Sequence, residues 1–237
     1  RSGHAYIFVD RAGQNMIASD LGANEDLDVP HINETRVAGI FKNCECLALN
    51  DPPLVIVSKL LKTAAKLGVP AMWDPGWRTA AGWRRLSFLM RYVDSLLLNQ
   101  AEAVRLFGTG EPAQILGNLE PTSAPRTIVL KRGGQGSLLI ECDTGTIREV
   151  PALPLAALGL STVSTVGCGD VFLGVAAACR AQGLTHYEAL LWASAAAGVK
   201  ATRQVTRGGP TGIELHGILH AAQAHGFPGG DMGASSR

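Results

Sequence analysis

Ser164-Thr165-Val166-Gly167-Cys168-Gly169-Asp170 runs directly into an apolar stretch from Val171 to Cys179. The glycines let the backbone turn sharply, so the first amides of the helix that follows can face one spot. Those amides and the helix dipole favour a negative group such as a phosphate. Asp170 stands at the same place, and a carboxylate beside an anion hole can act as a base toward a hydroxyl. Phosphoryl transfer is one reading. The other is ordinary capping, since an acidic residue in a first helical turn stabilises the helix by itself.

Working outward, the later chain is helical and the earlier chain alternates. A helix is expected over Asp170 to Ala181, apolar nearly all round and therefore buried. Thr185-His186-Tyr187-Glu188 is a capping-box pattern opening another buried helix to about Thr202, and a last helix covers Ile213 to Ala224. Upstream, strands are expected at Cys46–Leu49, Pro70–Trp73, Ser95–Leu98, Thr127–Lys131 and Ser137–Glu141. Helices fall between them at Leu54–Leu67, around Ala80–Tyr92, and at Ala101–Phe107. The chain opens on a hairpin, Ala5–Val9 and Asn15–Ser19, turning at Asp10-Arg11-Ala12-Gly13. Alternation of this kind points to an α/β fold with a mostly parallel sheet, whose ligands sit at the carboxyl ends of the strands. One domain is expected over residues 1–225, followed by a mobile glycine-rich tail at 226–237.

The 237 residues suffice for a sizeable core, and 46% hydrophobic content with no repeats excludes a disordered or solenoid chain. Lys plus Arg is 21 against 20 for Asp plus Glu, which leaves no electrostatic footprint for nucleic acid and favours a small-molecule partner. The longest apolar run, Val150 to Val163, is interrupted by Pro151 and Pro154 and is too short to span a membrane. Five cysteines with no Cys-x-x-Cys pair read as free thiols in a reducing, cytoplasmic compartment. Cys44 and Cys46 are expected on one face of a strand. Opening on Arg1 rather than Met, the chain is expected to be preceded by further sequence.

Each remaining candidate has two readings. Gly133-Gly134-Gln135-Gly136 follows a strand as a dinucleotide loop would, but the next segment is strand-like, so the helix that should carry a pyrophosphate is missing. A nicotinamide-linked oxidoreductase is disfavoured, leaving a close nucleotide approach or a plain hairpin turn. Asn99-Gln100-Ala101-Glu102 is either a helix cap or a polar pair near magnesium and phosphate. Asp74-Pro75-Gly76-Trp77-Arg78 is either a Pro-Gly turn with a solvated arginine or an acid and a guanidinium at the ligand end of the sheet, the arginine suited to bidentate contact with phosphate or carboxylate. His216 and His220 stand four apart on the last helix without a zinc-protease pattern, and read as a surface face.

Taken together these segments resemble the ribokinase-like (PfkB-type) carbohydrate kinase family. Ser164 to Asp170 is similar to its signature Asp-Thr-x-Gly-Ala-Gly-Asp, Asn99 to Glu102 to its Asn-x-x-Glu motif, and Lys131 to Gly136 to its nucleotide loop. Gly13-Gln14-Asn15 and Gly22-Ala23-Asn24 resemble the ribokinase subgroup, while Asp74 to Arg78 is nearer the fructokinase and ketodeoxygluconate kinase relatives. The resemblance implies a three-layer α/β/α fold, here lacking the family's N-terminal strands, and ATP-dependent phosphorylation of a sugar hydroxyl. It implies Asp170 as base and the amides of Gly167, Cys168 and Gly169 as the anion hole. Asn99 and Glu102 would act near Mg2+ and phosphate. Lys131, Arg132, Gly133, Gly134, Gln135 and Gly136 would line the ATP site, with Ser194 near adenine. Asn50 and Arg78 would lie toward the sugar.

The departures carry their own expectations. Ser164 replaces the acid that relatives use toward a monovalent cation, so potassium activation is doubtful. Asn50 stands where ribokinases carry a sugar-contacting Glu, which weakens ribose as the substrate. The resemblance covers about the C-terminal two-thirds of such an enzyme, so the chain by itself can be inactive, and a homodimer is expected only at full length. The alternative is a non-catalytic nucleotide- or phosphate-binding relative without its sugar-binding segment.

Overall fold

The computed structural model describes residues 1–9, 15–27 and 32–229. The expected hairpin turn at Asp10 to Gly13, Gln14 of the ribokinase-like opening, and the tail from Gly230 to Arg237 lie outside the described residues. Strands β1 (His4–Val9) and β2 (Asn15–Asp20) pair as a two-stranded sheet. A second sheet has six strands in the order of the chain: β3 (Leu47–Asn50), β4 (Ala71–Asp74), β5 (Ser95–Asn99), β6 (Thr127–Lys131), β7 (Ser137–Glu141) and β8 (Ile147–Val150).

The first four of these strands are parallel neighbours, with Asn50 opposite Asp74 and Asn99 opposite Lys131. Parallel strands need crossovers, and helices supply them: α2 (Leu54–Lys66), α3 (Trp83–Met90), and α4 (Gln100–Phe107) with α5 (Pro112–Gly117). β6, β7 and β8 are joined by loops too short for a crossover, which makes those pairs antiparallel hairpins. β4, β5 and β6 are buried almost throughout, as strands covered on both faces must be. Their side chains join one core in which Trp73, Leu96, Leu98, Leu86 and Ile128 are fully buried.

The chain divides into two compact units. The first comprises residues 1–6, 18–132 and 138–149, and the second residues 7–17, 133–137 and 150–237. The second unit is a packed set of helices, α6 (Cys168–Ala181), α7 (His186–Ala201) and α8 (Gly212–Gln223). α7 has almost no polar face: Leu190, Leu191, Trp192, Ala193, Ala195, Ala196 and Val199 are all buried. α7 and α8 each begin with a capping box, Thr185 with Glu188 and Thr211 with Glu214. Past α8, Gly226 takes a left-handed φ of 81° and Phe227 is buried, its amide bonded to the Ala222 carbonyl. No helix among the described residues is long and apolar enough to cross a membrane.

Several elements depart from the sequence expectations. The helix expected around Ala80–Tyr92 is two pieces, a 3-10 turn over Gly76–Ala81 and then α3, because Gly82 takes a φ of 76° and breaks the run. Cys44 and Cys46 do not share a strand face. They precede β3, half-buried, in the turn after α1 (Glu34–Phe41), and Cys44 Sγ contacts the Ile40 carbonyl at 3.3 Å. All five cysteines are free. α1, α5 and β8 had no expectation attached to them.

Candidate active site

Four strand ends of the first unit deliver polar residues to one edge of the parallel sheet: Asn50, Asp74, Asn99 and Lys131. Parallel pairing puts the carboxyl ends side by side, so residues remote in sequence become neighbours there. Lys131 Nζ forms an ion pair with Asp74 Oδ2, both side chains being largely buried. The lysine at the head of the glycine loop is therefore tied across the sheet to Asp74. Asp74 also accepts from the Gly76 amide at 3.3 Å, which fixes the start of the Pro-Gly turn.

Asp51 follows Asn50 with a φ of 52°, a left-handed conformation uncommon for a side-chain-bearing residue and best tolerated by Asp and Asn. Its amide donates to the Asp74 carbonyl at 3.0 Å, which holds the turn against β4. Arg78 Nε lies 3.1 Å from Asp51 Oδ1 and also donates to the Asp51 carbonyl at 3.3 Å, while its guanidinium sits 4.6 Å from the Trp77 ring. Arg78 is thus a fixed group rather than a solvated one.

Burial raises the Asp51 carboxyl to about 6; the Arg78 guanidinium opposes that shift, and Asp74 and Glu102 reinforce it. Burial also raises Glu102, against the Asn99 amide and Lys131. Three carboxylates around two cations form one electrostatic cluster. A carboxyl with a folded pKa above its unfolded one holds its proton more tightly when folded. Its stabilising contribution is full below the ordinary carboxylate value and fades as pH rises through about 6. Thermal melting of Asp51→Asn should therefore vary less than wild type between about pH 4 and pH 7, the wild type losing relative stability as pH rises. Parallel melting profiles would show that Asp51 does not titrate in that window.

Asn99 and Glu102 form a complete capping box at the start of α4. Asn99 Oδ1 accepts from the Glu102 amide at 2.9 Å, and Glu102 Oε2 accepts from the Asn99 amide at 2.7 Å. The cap fixes the Glu102 carboxylate at the strand end. Hard oxygen ligands of this kind suit Mg2+ held partly through water.

The glycine loop divides into an open and a closed part. A Cβ on Gly133 or Gly134 would meet nothing within 4 Å, whereas one on Gly136 would come 2.1 Å from the Val150 carbonyl. Gly136 is required by packing, since its φ is also 80°. Gly133, Gly134 and Gln135 are exposed in a single 3-10 turn that leads straight into β7, so no helix follows. Arg132 pairs with Glu149 at 3.3 Å.

In the second unit, Gly167 is the N-cap of α6 with a φ of 82°, and a Cβ there would fall 2.6 Å from the Thr206 carbonyl. No other residue suits that position. The Cys168 amide is engaged by the Thr165 carbonyl at 3.2 Å, and the Val171 amide by the Gly167 carbonyl at 3.1 Å. Of the three amides expected to hold an anion, that of Cys168 is thus turned inward to close the loop. Gly169 and Asp170 are exposed on the first turn. Burial raises the Cys168 thiol, with Lys200 acting against the shift and Asp170 with it.

Ser194 is buried and donates to the Pro151 carbonyl at 2.6 Å, a tie between α7 and the segment after β8. His216 and His220 are exposed, and His216 packs edge-on against Trp192 at 4.7 Å. Among the described residues no group of three or more His, Cys, Asp or Glu is placed to hold a metal ion. Asp51 was missed in the sequence. Its signal was the Asn-Asp-Pro-Pro run at the end of a strand, a place where Asp accepts an unusual backbone angle.

Comparison with known proteins places the chain in a family. The profile described as pfkB family carbohydrate kinase matches residues 1–211. A ribokinase of Arabidopsis thaliana is 28% identical over 207 residues, covering 83% of this chain and 51% of that protein. A bifunctional ribokinase/ribose-5-phosphate isomerase A of Fructilactobacillus sanfranciscensis is 26% identical, covering 81% of this chain and 34% of its own length. The chain therefore spans about half, or less, of the length of these curated relatives. Among solved structures, Arabidopsis thaliana ribokinase complexed with ribose and ATP aligns with a TM-score of 0.76 at 26% identity, over 91% of this chain and 68% of that one. A Burkholderia thailandensis nucleoside kinase in complex with inosine gives 0.76 at 20% identity, over 94% and 70%. The fold class is the ribokinase-like α/β/α class with a mostly parallel sheet.

Proposed function

The chain belongs to the pfkB family of carbohydrate kinases, and on that premise we propose that it carries the ATP-dependent transfer of a phosphoryl group to a sugar hydroxyl. The observation that carries this reading is the start of α6. There a left-handed glycine forces the turn, and Asp170 stands exposed beside the Gly169 amide at the helix end.

Asp170 takes the proton from the attacking hydroxyl as the oxygen–phosphorus bond forms, and ADP departs with the electron pair of the broken bond. The Gly169 amide and the dipole of α6 stabilise charge spread over the transferring oxygens. In the first unit, Glu102 and Asn99 fit a hydrated Mg2+, which when bound neutralises phosphate charge. Gly133, Gly134 and Gln135 give a nucleotide open backbone to lie against. Lys131 and Arg78, each tied to a carboxylate, shape the polar sheet end that carries Asn50.

The relatives' ligands are ribose and inosine, but Asn50, standing where ribokinases carry a sugar-contacting Glu, weighs against ribose and leaves the sugar class open. Sugar-dependent ADP release by the full-length protein, measured across pentoses, hexoses and nucleosides, tests the reading. Release that rises with one sugar class supports the reading. Release indifferent to every sugar leaves a nucleotide-binding protein without transfer, and the sugar kinase reading fails.

A further inference from the structure

Lys200, in the last turn of α7, is fully buried. A lysine is almost never buried to that extent unless its ammonium is partnered. Its Nζ donates to two main-chain oxygens, the Arg203 carbonyl at 3.1 Å and the Ser164 carbonyl at 3.4 Å. Those carbonyls belong to the two segments that frame the start of α6. Ser164 opens the loop that turns at Gly167, and its amide and that of Val163 both donate to the Ala201 carbonyl, at 3.0 and 2.7 Å. Arg203 opens the facing loop, where its guanidinium donates to the Gly208 and Gly209 carbonyls and pairs with Glu214. That facing loop is the one whose Thr206 carbonyl crowds Gly167.

An ammonium held between backbone carbonyls makes the same contacts as a desolvated monovalent cation in a carbonyl cage. The residues present do not fit a separate ion there. The Ser164 and Arg203 oxygens already serve a fixed positive charge, Ser164 brings no carboxylate, and a second cation beside the first would be repelled.

We propose that Lys200 is a built-in cation that takes the place of a diffusible monovalent ion and holds the Ser164–Gly169 loop in its anion-binding form. It is a positioning residue. It touches neither phosphate nor sugar, and acts through the carbonyls that set the loop. The inference rests on reading the start of α6 as the phosphate site.

Its test uses the full chain and Lys200→Met, in potassium chloride and in choline chloride at equal ionic strength, with thermal melting and ADP titration as readouts. Wild type should melt and bind ADP alike in both salts. In choline, Lys200→Met should melt lower and bind ADP about tenfold more weakly, the loss expected for a hydrogen-bonded charge. Potassium should restore much of both, because the emptied carbonyl cage can accept the ion. Saturable stabilisation of wild type by potassium overturns the proposal, and so does a variant equally weak, or unfolded, in both salts. Absence of ADP binding by wild type would instead count against the kinase reading, while the melting comparison still decides the role of Lys200.

Discussion

Asp170→Asn is expected to reduce turnover by about 10² to 10⁴, the usual effect of removing a positioned general base. The substitution keeps side-chain size and helix-capping ability, and the amides around it are backbone groups that it leaves in place. Melting temperature and ATP affinity should therefore stay close to wild type while the rate collapses. Asp170 is exposed on the first turn of α6, outside the buried core, which supports this separation. If melting falls while the rate per folded molecule is unchanged, Asp170 serves only as a first-turn acid of α6.

Lys131→Met is expected to act in the opposite way, on stability first. Asp74 is buried, and Lys131 is its ion-pair partner at the edge of the sheet. Removing one member of such a pair leaves an uncompensated charge and typically costs about 3–5 kcal/mol. The partial exposure of the lysine puts the expectation toward the lower end, because solvent screens part of the pair. The double variant Asp74→Asn, Lys131→Met should recover much of the loss, since the stranded carboxylate is then gone. A denaturation cycle over the four proteins measures the coupling. Additive losses would mean that the two side chains are independent and that the sheet end is not a paired cluster.

The fold was largely legible because the chain states it locally. Buried parallel strands are short apolar runs, and each ends at a turn signal or a cap such as Asn99 with Glu102. The start of α6 was legible for the same reason: a glycine that must be left-handed and an acid in the first turn are both local facts. What the sequence hid was pairing across distance. Nothing local links Lys131 with Asp74, Arg78 with Asp51, or Lys200 with Ser164, because each pair meets only when strands and helices pack. Gly82 was hidden differently. Its apolar surroundings continue a helical pattern, and only the backbone angle reveals the break. The inward turn of the Cys168 amide likewise depends on the Thr165 carbonyl, an acceptor that no spacing rule identifies.

The most direct test of phosphoryl transfer is to follow phosphorus by NMR in a mixture of ATP, Mg2+ and the preferred sugar, with a second mixture lacking the sugar. The account predicts a sugar phosphomonoester appearing in step with ADP, and neither product without sugar. ADP accompanied by inorganic phosphate alone, or ATP bound but unchanged in both mixtures, would contradict it.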